Sequence, residues 1–217
     1  MRRLLLLAAG AIACGVLVAC GGGSSAGPAP ATGTDAADST ALAGSIATQI
    51  QAALLRSEDV PAALPRIASG VQFAPPAEFP GQSARASVAV ARFGRDHQAE
   101  FVNVALIVPD SGGPEPLMQN FNPQAYLQGL TAGATDPTSA PISLTGAPAG
   151  AQAFRYGGAL TTNGATGTMA GEVLAFVHGK VFVLLVHGTT IDATPGIDLA
   201  SLAATVEARL ATLPVAN

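Results

Sequence analysis

The chain has 217 residues and a formal net charge of -4 at pH 7, and only 11% of its residues are charged, against about 25% in typical soluble domains. This acidic balance argues against a nucleic-acid partner, because binding to phosphates needs clustered Lys and Arg. The length predicts a single domain of ordinary size once the atypical N-terminal region is set aside.

The N-terminal region has the pattern of an export signal. Arg2 and Arg3 precede an apolar run over residues 4–19, and small residues follow it. The run is shorter than the ~20 residues that a membrane-spanning helix needs. A positive start, a short apolar middle and a small-residue end are typical of a secretory signal peptide.

The end of this run, Leu17-Val18-Ala19-Cys20, resembles the Leu-x-Ala-Cys box of bacterial lipoproteins. The resemblance implies that residues 1–19 are removed and that Cys20 carries a diacylglycerol. Cleavage before Cys14 is the alternative, although Leu17 fits the first box position better than the residue three before Cys14. Two acyl chains attach a protein stably to a membrane. The expected location is therefore the cell envelope, with the protein lipid-anchored on the exported side of the membrane.

Three segments of the mature chain are predicted from composition and helical spacing. Residues 20–39 are rich in Gly, Ser, Ala, Pro and Thr and are predicted to form a disordered tether, because they cannot bury enough apolar surface to fold. Residues 40–217 are predicted to form the domain. Its first helix is indicated by apolar residues four apart, namely Leu42, Ile46, Ile50 and Leu54.

Two further segments of the sequence have helical signals. Residues 115–132 have apolar residues at helical spacing, interrupted by Asn122-Pro123, which predicts a broken helix or two short ones. Residues 198–210 predict a closing helix with Asp198 as its N-cap. The proline-rich residues 57–82 are predicted to be irregular.

Six strands are predicted, and the last two are apolar at almost every position. Because such strands must be buried on both faces, the sheet needs cover above and below. The predicted fold is therefore α/β (α+β), a three-layer sandwich with a mainly antiparallel sheet and helices on both faces. A turn at His178-Gly179 is predicted to join the last two strands and to place His187 opposite Ala170. The predicted strands are residues 86–93, 100–108, 141–144, 151–161, 168–177 and 181–187.

This order of elements resembles the PsbP-like fold of small secreted lipoproteins, including the LpqN-type lipoproteins of actinobacteria. The matching residues are Glu58-Asp59-Val60-Pro61, the glycine- and proline-containing segment 146–150 before Phe154-Arg155-Tyr156, and the hairpin over residues 173–186. The resemblance covers residues 40–213. It implies a binding or accessory protein without a defined active site.

Chemically active residues are few. The one Gly-x-Ser-x-Gly match, Gly23-Ser24-Ser25-Ala26-Gly27, lies in the predicted tether and not between a predicted strand and a predicted helix, as the elbow of a serine hydrolase would. Asp96, His97 and Glu100 could bind a metal or supply an acid/base pair, but an exposed polar turn is the simpler interpretation. Arg155 could bind an anion with its planar guanidinium, or simply cover apolar surface. No catalytic residue, metal or cofactor is expected.

The remaining two histidines have structural interpretations. His178 is interpreted as a turn residue and His187 as a hydrogen-bonded residue at the border of a buried strand. The leading hypothesis is therefore a membrane-anchored secreted lipoprotein that binds a protein, a lipid or a small ligand at the cell envelope. The first alternative is an envelope hydrolase with a site at Asp96, His97 and Glu100. A passive assembly protein without a pocket is the second.

Overall fold

The structure, a computed structural model, describes residues 45–74, 86–94, 100–121, 134–162, 165–189 and 196–216. The predicted signal peptide, Cys20 and the predicted tether lie outside these residues. Asp96 and His97, from the polar segment before β-strand residue Glu100, also lie outside them.

The described residues form one seven-stranded sheet in which every neighbouring pair of strands is antiparallel. The order across the sheet is β1-β2-β3-β7-β6-β5-β4. Two meanders, β1 to β3 and β4 to β7, therefore meet where β3 pairs with β7. The strands are β1 Arg66–Ala74, β2 Ala86–Gly94, β3 Glu100–Pro109, β4 Ala134–Ile142, β5 Gln152–Thr162, β6 Ala165–His178 and β7 Val181–Thr189.

Within the described ranges the helices are short and few, so the fold is α+β and dominated by its sheet. Helix α1 spans residues 45–51, α2 is Glu115–Gln119, α3 is Leu199–Leu210, and a 3₁₀ turn over Pro214–Ala216 follows. The N-cap prediction for α3 is confirmed, because the Asp198 side chain accepts hydrogen bonds from the backbone N–H groups of Ala200 and Ser201 at 3.0 and 3.3 Å.

The prediction that the central strands are buried on both faces is confirmed by β7, all of whose residues are buried. Its alternate residues join two separate apolar clusters. Val183 and Leu185 lie on what we call the first face, where α1 and α3 pack through residues such as Ile50 and Val206. Leu184 and its alternating neighbours lie on the second face, whose cluster also includes Leu117 of α2.

Two strands were wrongly placed by the sequence pattern, and both are edge strands. β1 lies within the segment predicted to be irregular. Its first residues, Arg66 to Gly70, do not alternate between apolar and polar, and its apolar side chains Ile67 and Val71 are exposed, so the sequence carries no strand pattern there. β4 begins at Ala134 and not at residue 141. It tolerates Pro137 because an edge strand needs only one side of its backbone for pairing.

The predicted turn at His178-Gly179 is also wrong. His178 pairs with Val181, so the turn residues are Gly179 and Lys180. Gly179 has a φ of 52°, a left-handed conformation that glycine adopts at little cost. The register moves by two residues, and the residue opposite His187 is therefore Glu172, not Ala170.

Candidate functional site

Four charged or titratable side chains from four strands form a line across the first face of the sheet. Arg155 of β5 lies opposite Glu172 of β6, and Glu172 lies opposite His187 of β7. Glu100, the first residue of β3, approaches His187 from the other side. We call Arg155, Glu172, His187 and Glu100 the polar row.

The polar row runs from solvent into the interior. The Arg155 side chain is 63% exposed, and its NH2 and Nε groups donate to Oε1 of Glu172 at 2.7 and 3.2 Å. The Glu172 side chain is only 9% exposed, and that of His187 is fully buried. Oε1 of Glu100 lies 3.4 Å from Nε2 of His187. The row therefore places two carboxylates beside a sealed imidazole.

Burial controls the protonation of His187. Removal from water disfavours the imidazolium and lowers the pKa of His187, while the hydrogen bond and charge of Glu100 and the charge of Glu172 oppose this effect without cancelling it. The other ring nitrogen, Nδ1, is buried and has no hydrogen-bond partner among the described residues. A neutral imidazole can leave one nitrogen as an unprotonated acceptor, so the neutral form is the better fit to this site.

Tyr156 holds the strand of His187 from the second face. Its hydroxyl donates to the backbone carbonyl of His187 at 3.1 Å, within the protein interior. A Cβ atom added to Gly171 or Gly188 would collide with the Tyr156 side chain, so these strand glycines make room for the ring. The backbone that carries the polar row is therefore fixed by an aromatic side chain on the opposite face.

A second ionic contact joins α3 to the turn that follows α1. NH1 and NH2 of Arg209 donate to Oδ2 and Oδ1 of Asp59 at 2.7 and 2.8 Å, and NH1 also donates to the carbonyl of Leu54 at 2.9 Å. Burial raises the pKa of Asp59, but the hydrogen bonds from Arg209 and from the backbone N–H of Arg56 outweigh it, so the net pKa is lowered. Asp59 is therefore held as a carboxylate.

A cleft of about 360 Å³ lies between the end of α1 and strand β1. Its lining includes Leu54, the charged side chains Arg56, Glu58 and Arg66, and Ser69. Arg56 and Glu58 are 3.9 Å apart and both are more than half exposed, so their mutual attraction is weak. The cleft thus offers charged groups to solvent, in contrast to the sealed inner part of the polar row.

The structure brings together some of the predicted site residues and leaves others untested. Glu100 contacts His187, whereas Asp96 and His97 lie outside the described residues, so the metal or acid/base site that would unite them with Glu100 stays a prediction. Across the described ranges, no group of three or more His, Cys, Asp or Glu side chains could hold a metal ion. Arg155 is paired with Glu172, and its role in binding an anion also stays a prediction.

His178 differs from its interpretation as a turn residue. It is the last residue of β6, and its Nδ1 lies 3.7 Å from Oε1 of Glu207 on α3. Glu172 is not among the site residues predicted from the sequence. This residue is the one carboxylate in the apolar stretch of β6, and a turn at Gly179-Lys180 would have placed it opposite His187. The missing signal was thus the turn register.

Comparison with known protein families, with curated proteins and with solved structures found no significant match to this chain. None of the helices in the described part of the chain is long and apolar enough to span a membrane. The lipoprotein and PsbP-like resemblances therefore stay predictions from the sequence.

Proposed function

We propose that the protein is a membrane-anchored, exported lipoprotein whose α+β domain has a non-catalytic binding role at the cell envelope. The observation that carries the anchor is the box Leu17-Val18-Ala19-Cys20 directly after a short apolar run. The burial of His187 supports a non-catalytic role, because a general base must come within hydrogen-bond reach of its substrate.

The anchor is tested with the full chain expressed in an exporting bacterial host. Mass spectrometry of the wild-type protein should show a diacylglycerol on Cys20 at the new N-terminus, and the protein should sediment with membranes. Cys20→Ala should lose the lipid, whereas the matched variant Cys14→Ala should keep it. A soluble wild-type protein with an unmodified Cys20 would refute the anchor.

The binding role is assigned to the cleft beside β1, because its charged side chains face solvent. A photoreactive residue in place of Ser57, which lines the cleft, should form one recurrent adduct in cells. The adduct should disappear in Arg56→Ala and should be absent when the same photoreactive residue replaces Ser201, an exposed residue on α3. Equal labelling at both positions would contradict a binding site in the cleft.

The alternative is an envelope hydrolase with a site near Asp96, His97 and Glu100. The contact of Glu100 with His187 is the observation that favours it, because it places an imidazole beside one of these carboxylates. The exposure of the histidines separates the two functions. Diethylpyrocarbonate should modify His178, whose side chain is 20% exposed, much faster than the buried His187. Rapid modification of His187 in the folded protein would favour the enzyme.

The proposal includes the three-layer arrangement of the PsbP-like lipoproteins, with helices on both faces of the sheet. Packing of Leu117 into the second-face cluster supports it, since α1 and α3 pack on the first face. Amide hydrogen exchange tests this arrangement. Slow exchange throughout residues 115–132 is expected, and fast exchange would leave the second face without a helical layer.

A further inference from the structure

The two edges of the sheet differ in how they resist pairing with another strand. β4 carries Pro137 and Pro141, each of which lacks a backbone N–H, and its register shifts between Thr135 and Thr138. Prolines and bulges are devices that keep an edge strand from adding a further strand. The β4 edge is therefore protected.

The β1 edge lacks this protection over most of its length. It contains no proline, and its register with β2 is regular from Ala68 to Ala74, after a shift next to Arg66. Arg66 is its one charged residue, and the guanidinium turns back to donate to the carbonyl of Leu55 at 2.6 Å. Within the part of the chain that the structure describes, β1 pairs with β2 alone.

β1 also carries the exposed apolar side chains. Ile67 is 47% exposed and Val71 is 42% exposed, and they are the large hydrophobic residues that the described surface leaves in water. An edge strand with free backbone groups and exposed apolar side chains is a template for an added strand.

We propose that β1 pairs antiparallel with β1 of a second copy of this chain, so that the two sheets become one. Such a contact is isologous: the same surface serves both copies and the assembly closes at two. The strand is compatible with itself, because antiparallel pairing over residues 68–74 keeps the two Arg66 side chains at opposite ends. No like charges then face each other across the pair.

The position of α1 makes a second copy a suitable occupant. The two-fold axis of an antiparallel strand pair is perpendicular to the sheet, so both copies turn their first faces to the same side. Ile50 packs α1 onto that face, so residue 45, the first residue of α1, lies on the same side of the sheet in both copies. This step rests on the proposed lipid anchor, since it lets both anchors reach one bilayer. The pairing of the strands does not depend on it.

Disulfide cross-linking of the full chain in its membranes tests the pairing. The two natural cysteines, Cys14 and Cys20, are both N-terminal, so cysteines placed singly at positions 68, 69, 70 and 71 report on β1. Ser139→Cys on β4 is the matched control for Ser69→Cys, because both replace an exposed serine of an edge strand. After mild oxidation, the best β1 position should give at least about five times more dimer than Ser139→Cys, since a disulfide needs Cα atoms closer than about 7 Å.

A second variant separates strand pairing from chance collision. Adding Ser69→Lys to the best cross-linking variant, or Val71→Lys where position 69 is best, should reduce the dimer at least about fivefold, because lysine on an edge strand opposes strand addition. Circular dichroism should show that this exposed substitution leaves the fold unchanged. A dimer that persists with the added lysine would overturn the proposal.

The remaining outcomes are equally decisive. Equal dimer at β1 and β4 positions, or none at either, overturns self-pairing, and a cross-linked band of another mass identifies a different occupant of β1. The chain without added cysteines reports on the anchor separately, because an acylated Cys20 cannot form a disulfide. If that chain forms a disulfide dimer, the anchor fails, and the β1 comparison is repeated with Cys20→Ser.

Discussion

The two ionic clusters of this protein use similar residues in opposite ways. Arg209 meets Asp59 in a two-pronged contact in which the guanidinium also satisfies a backbone carbonyl. In the polar row, by contrast, the innermost group is a buried imidazole, one nitrogen of which has no partner among the described residues. The environment favours the charged form of Asp59 and the neutral form of His187. The balance between burial and hydrogen bonding decides which form the fold prefers: the hydrogen bonds from Arg209 and Arg56 outweigh burial at Asp59, whereas the contact with Glu100 does not outweigh burial at His187.

The largest effect is expected from removal of the guanidinium that joins α3 to the turn after α1. Arg209→Ala should lower the free energy of unfolding by about 2 to 3 kcal/mol, because Asp59 loses two of its hydrogen bonds and the Leu54 carbonyl loses the one from Arg209 in a mostly buried place. Urea unfolding measures this loss. Arg56→Ala is the matched control: its contact with Glu58 is exposed, so a change within about 0.5 kcal/mol is expected. Equal losses of unfolding free energy in the two variants would contradict the expected difference between the mostly buried contact and the exposed one.

Asp59→Asn should lower the free energy of unfolding by a smaller amount, about 1 to 2 kcal/mol near pH 7. Asparagine can still accept a hydrogen bond from the backbone N–H of Arg56. The lowered pKa of Asp59 adds a pH dependence. Its stabilisation is complete above the unfolded pKa of about 3.9 and is lost as the pH falls through the lower folded value. The difference between wild type and Asp59→Asn should therefore shrink in acid. A constant difference from pH 7 to pH 2 would be inconsistent with this account.

His187→Leu should change stability at pH 8 by no more than about 1 kcal/mol, because an apolar side chain replaces a buried ring with an unsatisfied nitrogen. The effect of pH is the sharper test. Since the folded pKa of His187 lies below the unfolded value of about 6.5, wild type should lose stability as the pH falls from 6.5 toward the folded pKa, and then no further from this residue. The stability of His187→Leu should not fall in this way over the same pH range. Parallel stability curves for the two proteins would exclude His187 as its source.

The smallest effect on stability, below about 1 kcal/mol, is expected for Glu172→Gln, because its partner Arg155 is largely in water. The charge of Glu172 helps to keep the proton on His187, so its removal should lower the pKa of His187 further. NMR titration of ring-labelled histidine measures this shift. A pKa that rises in Glu172→Gln would show that the two strands do not bring these groups together as described.

Much of the fold could be predicted from local patterns, and the exceptions have physical causes. The hairpin of β6 and β7 and the cap at Asp198 were predicted because burial on two faces and helix capping leave signals within a few residues of sequence. β1 leaves no such signal, since the contact that makes it a strand among the described residues is its pairing with the distant β2. The site was harder to predict. Moving the turn by one residue along the chain, from 178–179 to 179–180, changes the partner of His187 from Ala170 to Glu172.

The amino-acid sequence by itself determined the apolar central strands, the closing helix with its cap, and the lipobox pattern on which the proposed anchor depends. Only the tertiary structure decided which polar groups meet, because Glu100, Arg155, Glu172 and His187 lie on four strands whose neighbours are set by the order of the sheet. It also decided which apolar side chains are exposed, since the exposure of Ile67 and Val71 depends on what packs beside them. Periodicity is a property of a short segment, whereas register and exposure arise only when distant segments pack together.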